Sequence, residues 1–144
     1  MRTVALRFAE NFAPDEGTIA AHEAVIEQLG FVWYGKMGAA VSQKAAADLM
    51  SNEMPRILLI HSGGTRRFWA YIDAVQKETP ELNGVPPYYR NQANDFGYWF
   101  RVRRFEAAPK DIMAQCIVPS SGNKLSIASR RSMSPYFIID APDE

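Results

Sequence analysis

Four consecutive aliphatic residues, Ile57-Leu58-Leu59-Ile60, stand between Arg56 and His61. Side chains alternate across a strand, so this run leaves neither face for water. A strand buried on both faces must lie inside a sheet that is covered on both sides. The 144 residues make one ordinary domain, of a size that buries roughly 68–70% of its unfolded surface. The same run is far too short to cross a membrane, which takes about 20 apolar residues. The N-terminus, Met1-Arg2-Thr3-Val4, has no long apolar stretch and leads into an acidic segment, so no signal peptide is expected. One cysteine, Cys116, excludes an internal disulfide and a four-cysteine zinc site, and suits a reducing cytoplasm.

Around this strand the pattern predicts an α+β order. Thr3–Phe8 alternates as a strand, and Ile19, Val25, Ile26 and Leu29 recur at helical spacing up to Gly30. Phe31–Lys36 is a short aromatic strand. Ser42 caps an alanine-rich helix that stops before Pro55. Ser62-Gly63-Gly64-Thr65 turns the chain into a strand from Arg67 to Val75. Lys77–Gly97 carries three prolines and no periodicity, and loops of such length are often functional. Tyr98–Phe105 is a strand, Pro109 opens a short helix, Ser120–Ser134 reads as a serine-rich loop, and Tyr136–Ile139 closes as a strand. The expected architecture is a mixed β-barrel with helices packed outside, one domain over 1–144. The polar ending Ala141-Pro142-Asp143-Glu144 suits a natural terminus and the N-terminal module of a longer protein equally.

Little in the sequence demands catalysis. Ser62-Gly63-Gly64-Thr65 is no phosphate loop, because a strand rather than a helix follows it. Cys116 falls with Ile112 and Met113 on the apolar side of a short helix and reads as a packed thiol. His22 sits on the inner stripe of the first helix. Two histidines and one cysteine at wide spacing offer no metal site, and the acids are scattered singly. Neither a cofactor nor a catalytic residue is expected.

Charge is more informative in its distribution than in its total of zero. Residues 1–55 hold four basic and seven acidic side chains, whereas 56–139 hold twelve basic and six acidic. A fold can thereby present a basic face, or the cations simply solvate strand edges. On Tyr98–Phe105, period two sets Trp99, Arg101 and Arg103 on one face and Tyr98, Phe100 and Val102 on the other. Trp69, Tyr71 and Asp73 likewise share a face, and Trp33 and Tyr34 add two rings. Tryptophan beside arginines is a platform for a base next to phosphates; the same rings also serve as large core residues. Spacing alone leaves both readings open.

The order of segments resembles the EVE family of the PUA-like group, which also includes the YTH and ASCH domains. That pattern runs from a Trp-x-Gly segment, here Trp33-Tyr34-Gly35-Lys36, through a helix from Ser42 to a hydrophobic strand ending in His61-Ser62. It continues with Phe68-Trp69-Ala70-Tyr71-Ile72, Tyr88-Tyr89-Arg90-Asn91 and Tyr98-Trp99-Phe100-Arg101-Val102. Phe105, the Pro109 helix and Arg131-Ser132-Met133-Ser134-Pro135 complete it, over roughly residues 31–140. The helix Ile19–Leu29 is additional, the Ser-Gly-Gly turn replaces a commoner Ser-Asn, and Met37 follows Lys36 where a basic-Asn pair is usual.

The resemblance implies a non-catalytic reader of modified bases. It would flip methylated or hydroxymethylated cytosine, or methyladenine, out of double-stranded DNA and target a nuclease or translocase in cis or in trans. The implied pocket comprises Trp33, Tyr34, Gly35, Lys36, His61, Ser62, Trp69 and Trp99. Arg101, Arg103, Arg130, Arg131 and Ser132 would meet phosphates, and Tyr88, Tyr89 and Arg90 would form a wedge or lid. Three rivals remain at this stage. One is a modified-RNA reader, and another a small nucleotide- or RNA-processing enzyme using His61, Lys36 or Asp73. The third is a protein–protein module in which Trp33 and Trp99 are fully buried.

Overall fold

The computed structural model describes residues 1–8, 10 and 13–143. Its strands are β1 (Arg2–Phe8), β2 (Val32–Lys36), β3 (Arg56–His61), β4 (Arg67–Gln76), β5 (Tyr98–Ala107), β6 (Ile117–Val118), β7 (Asn123–Lys124) and β8 (Tyr136–Asp140). The helices are α1 (Thr18–Leu29), α2 (Gln43–Met50), α3 (Ile112–Gln115) and α4 (Leu125–Arg131). The strands form one mixed sheet in the order β2-β5-β4-β3-β1-β8-β6-β7. Its parallel pair, β1 with β3, is the one whose connection is long enough for a crossover, and α1, β2 and α2 fill it.

β3 explains the layering. Ile57 and Leu59 enter a core with α1, α2 and the inner faces of β1, β2, β4 and β5. Leu58 and Ile60 enter a second core with α3, α4 and β8. All four are buried, each contributing about 1.5–3 kcal/mol. The sheet also curls: the Lys36 ammonium at the end of β2 lies 5.1 Å from the centroid of the Tyr136 ring on β8. The Ser42 N–H donates to the Tyr136 hydroxyl nearby. Strand ladders do not close this gap; side chains do, so the barrel is curled but laterally open between β2 and β8.

Local signals act where the sequence places them. The Ala45 N–H donates to Ser42 Oγ as the cap of α2, and Gly30, with φ of 82°, ends α1 in the left-handed region. The N-terminus of α1 has a more distant cap, the Glu10 carboxylate, which accepts from the Thr18 N–H and pairs with Arg66 at 2.9 Å. Burial alone would raise the Glu10 carboxyl, but these donors hold it below the usual carboxylate range. Two segments differ from the sequence expectation. Ser120–Ser134 contains β7 and α4, and Lys77–Gly97 is organised as 3₁₀ turns at Leu82–Gly84 and Pro87–Asp95. Within α4 only Leu125 is fully buried. Its C-terminal carbonyls on Ser129 and Ser132 accept from Arg7 on β1, a long-range cap that local pattern does not reveal.

Candidate nucleic-acid interface

Residue parity on β2 and β5 assembles an aromatic face. β2 and β5 pair with Trp33 opposite Arg101 and Gly35 opposite Trp99, so these four project from the same side. Trp99 is fully buried and packs with Val85, Tyr89 and Ala93 from the 3₁₀ segments, with Trp33, Tyr88 and Phe96 around them. The Phe96 ring meets Trp99 edge-on at 5.4 Å and Tyr89 at 5.1 Å. Gly35 is required for this approach: a Cβ there would lie 2.9 Å from Phe96 Cγ and 3.0 Å from Trp99 Cζ3. Gly84 plays the same part for the loop, since its Cβ would fall 2.9 Å from Trp33 Cδ1. Trp33 stays half-buried. Trp99 Nε1–H is buried with no acceptor among the described residues, a state that costs about 1–3 kcal/mol.

His22 anchors the tyrosine loop from behind. Its Nδ1 lies 2.8 Å from the Thr18 carbonyl, which only accepts, so Nδ1 carries the proton. Nε2 therefore accepts from the Tyr89 hydroxyl at 2.8 Å, with the Trp33 carbonyl at 3.2 Å as that hydroxyl's alternative acceptor. Burial holds the His22 imidazole down to about 4. Burial likewise raises the Tyr34 and Tyr89 hydroxyls well above their ordinary range. Tyr89 is thus an internal strut, Tyr88 is half-buried beside it, and Arg90 Nε–H holds the Val85 carbonyl at 2.8 Å.

Next to Trp33, Arg101 stacks on Phe31 at 4.1 Å and Arg103 donates to the Gly30 carbonyl. Both guanidiniums reach one carboxylate oxygen of Asp73, at 2.9 and 3.1 Å. Any phosphate arriving here has to compete with Asp73. Phe31, Phe96 and Asp73 thus join the region, where spacing and resemblance do not put them. Strict alternation puts Asp73 on the Trp69 face, but register shifts between β4 and β5 on either side of Ile72 bring it to the arginines instead.

The remaining residues of the sequence-derived set lie elsewhere. Tyr34 and Lys36 point to the opposite face of β2. The Lys36 ammonium is buried and donates to the Met37 and Ala39 carbonyls; burial lowers its pKa. His61 stacks on Phe8 at 5.1 Å, and Ser62 begins the β3–β4 turn. Trp69 belongs to the core under α3 and α4, not to the Trp33 and Trp99 cluster. Arg130 and Arg131 are exposed on the last turn of α4, with Ser132 Oγ bonded to Ser134 Oγ just beyond. His61, Lys36 and Asp73, the alternative acid–base residues of the enzyme reading, lie apart: His61 stacks on Phe8, Lys36 donates to backbone carbonyls, and Asp73 pairs with Arg101 and Arg103. Cys116 is buried, and its thiol is pushed up to about 11 by burial. Among the described residues no group of three or more His, Cys, Asp or Glu is placed to hold a metal. No helix there is long and apolar enough to cross a membrane.

The Pua-like family pattern matches residues 4–129. No curated protein and no solved structure matches the chain. The match runs from Val4 in β1 to Ser129 in α4; it takes in the first core except for Tyr136 at its margin, and the second core except for Phe137, Ile139 and Ala141. The chain belongs to the Pua-like family, whose domains are in general binding modules for nucleic acid rather than catalysts.

Proposed function

We propose that this domain reads a modified base in double-stranded DNA, EVE-like in manner, and so targets a nuclease or translocase acting in cis or in trans. The observation that carries this reading is Trp33. It is a half-buried ring packed against a closed aromatic cluster, with two arginines beside it, and the cluster holds the Trp99 N–H, which has no acceptor among the described residues. A base leaving its stack costs a few kcal/mol, which ring stacking at about 1–3 kcal/mol per base and a new hydrogen bond offset. An oxygen or ring nitrogen of the base supplies the acceptor that Trp99 lacks. Methylated or hydroxymethylated cytosine and methyladenine are the ligands to compare.

The test is a fluorescence-polarisation titration of duplexes carrying 5-methylcytosine, 5-hydroxymethylcytosine, N6-methyladenine or no modification, at two salt concentrations. One modified duplex is expected to bind at least about fivefold more tightly than the unmodified one, with the preference lost in Trp33→Ala. Equal binding to all duplexes that fades with salt would leave only phosphate attraction and end the base-reading proposal. Selective binding of modified RNA instead would move the reading to RNA.

The same titration tests Asp73. Asp73→Asn frees Arg101 and Arg103, so binding at low salt should tighten by about threefold to tenfold with a steeper salt dependence. An unchanged affinity and slope would show that these arginines do not face phosphate.

A further inference from the structure

An open groove of about 890 Å³ lies on the sheet away from the aromatic cluster. Register builds it: Arg56 on β3, Tyr71 on β4 and Arg104 on β5 are direct cross-strand neighbours in one row, with Trp69 and Glu106 paired in the next. The side chains stack alternately. The Arg56 guanidinium sits 3.9 Å from the Trp69 ring centroid, and the Arg104 guanidinium sits 3.7 Å from that of Tyr71. Arg56 is buried and held by the Tyr71 hydroxyl and the Pro142 carbonyl, so it forms a fixed floor. Arg104 is half exposed and ends the stack.

We propose that this groove is a second binding site, and that it takes an unpaired purine base, guanine best. A planar ring is the chemistry that continues a stack ending in a guanidinium. The lining also includes the acids Glu53 and Asp143, so the groove is not basic and does not suit a phosphate backbone. Glu106 accepts from the Tyr71 hydroxyl with one oxygen and from Arg104 with the other. A carboxylate has about four acceptor positions, which leaves two for a base edge. Guanine offers two adjacent N–H donors there; uracil and thymine do not. Met54, exposed at the rim, adds a soft apolar contact. The volume suits a small ligand. The base arrives as a free nucleotide or within a single strand, and this site is independent of the one at Trp33.

The test is an amide chemical-shift titration with guanosine monophosphate, uridine monophosphate, and a short oligothymidylate with and without one central guanine. Guanosine monophosphate should shift Met54, Tyr71, Arg104 and Glu106 and saturate in the millimolar range, at least about fivefold more tightly than uridine monophosphate. Arg104→Ala should weaken binding by about fivefold or more, and Glu106→Gln should erase the guanine preference; both side chains are half exposed, so melting curves should stay near wild type. Trp33→Ala should leave this binding intact, which separates the site from base reading in duplex DNA. Tighter binding of the guanine-bearing strand than of the monophosphate identifies a strand as the source, and equal binding identifies a free nucleotide. No shift from any of these ligands at millimolar concentration, or shifts unaltered in both variants, would overturn the proposal.

Discussion

His22→Ala is expected to lower stability by about 3–5 kcal/mol at pH 7, a large part of the total for a domain of this size. The imidazole is fully enclosed and braces the tyrosine loop through Tyr89. Removing it leaves a cavity and takes one acceptor from the Tyr89 hydroxyl. The wild type should also weaken in acid. Its folded-state pKa of about 4 lies below the ordinary 6.5, so below pH 6.5 the unfolded chain takes up a proton that the folded chain excludes. Stability then falls as pH drops from 6.5 towards 4 and levels off below that. The loss between pH 7 and pH 5 from this group is about 2 kcal/mol. His22→Phe refills the site with a somewhat larger ring, and Tyr89 can still donate to the Trp33 carbonyl. That variant should lose less at pH 7 and show a flatter profile between pH 7 and pH 5. Glu10, held below the usual carboxylate range, stabilises the fold at neutral pH and loses that contribution only as pH falls below its ordinary 4.5, outside this window. Urea denaturation at the two pH values reads all of this, and an unchanged acid slope in His22→Phe would refute the assignment.

Much of the frame was legible because strand parity and helix period report local burial. Trp99, Arg101 and Arg103 do share a face opposite Tyr98, Phe100 and Val102, and Ser42 does cap α2. Parity says which residues share a side; it does not say what covers that side. Trp69 and Trp99 both leave their strands beside polar neighbours, yet one goes under α3 and α4 and the other under the 3₁₀ loop. Tyr89 illustrates the second limit: its place as a strut is set by His22, 67 positions away. The helix α4 shows the third. With one fully buried residue and a cap supplied by Arg7, it carries almost no helical pattern of its own. The pairing of Asp73 with Arg101 and Arg103 was hidden too, because it follows a register shift that no local signal announces.

Trp99 carries the second large effect, and the two ways of changing it should diverge. Trp99→Ala empties a fully buried site that touches Phe96 and the Gly35 backbone, and should cost about 3–5 kcal/mol. Lost binding in that variant would report a collapsed loop rather than a lost contact. Trp99→Phe removes the indole N–H while keeping a ring. The smaller ring loses about 1–2 kcal/mol of packing, but the substitution also removes a buried donor without an acceptor, a relief of about 1–3 kcal/mol. These terms nearly cancel, so Trp99→Phe should melt within a few degrees of wild type. If the N–H serves the edge of a flipped base, the same variant should bind the preferred modified duplex about fivefold to tenfold more weakly, with binding to unmodified duplex unchanged. A stable Trp99→Phe protein with full modified-base preference would remove Trp99 from recognition and leave the stacking role to Trp33 alone. A Trp99→Phe protein as unstable as Trp99→Ala would mean that the N–H has a partner, most simply an ordered water, and that the cluster depends on it.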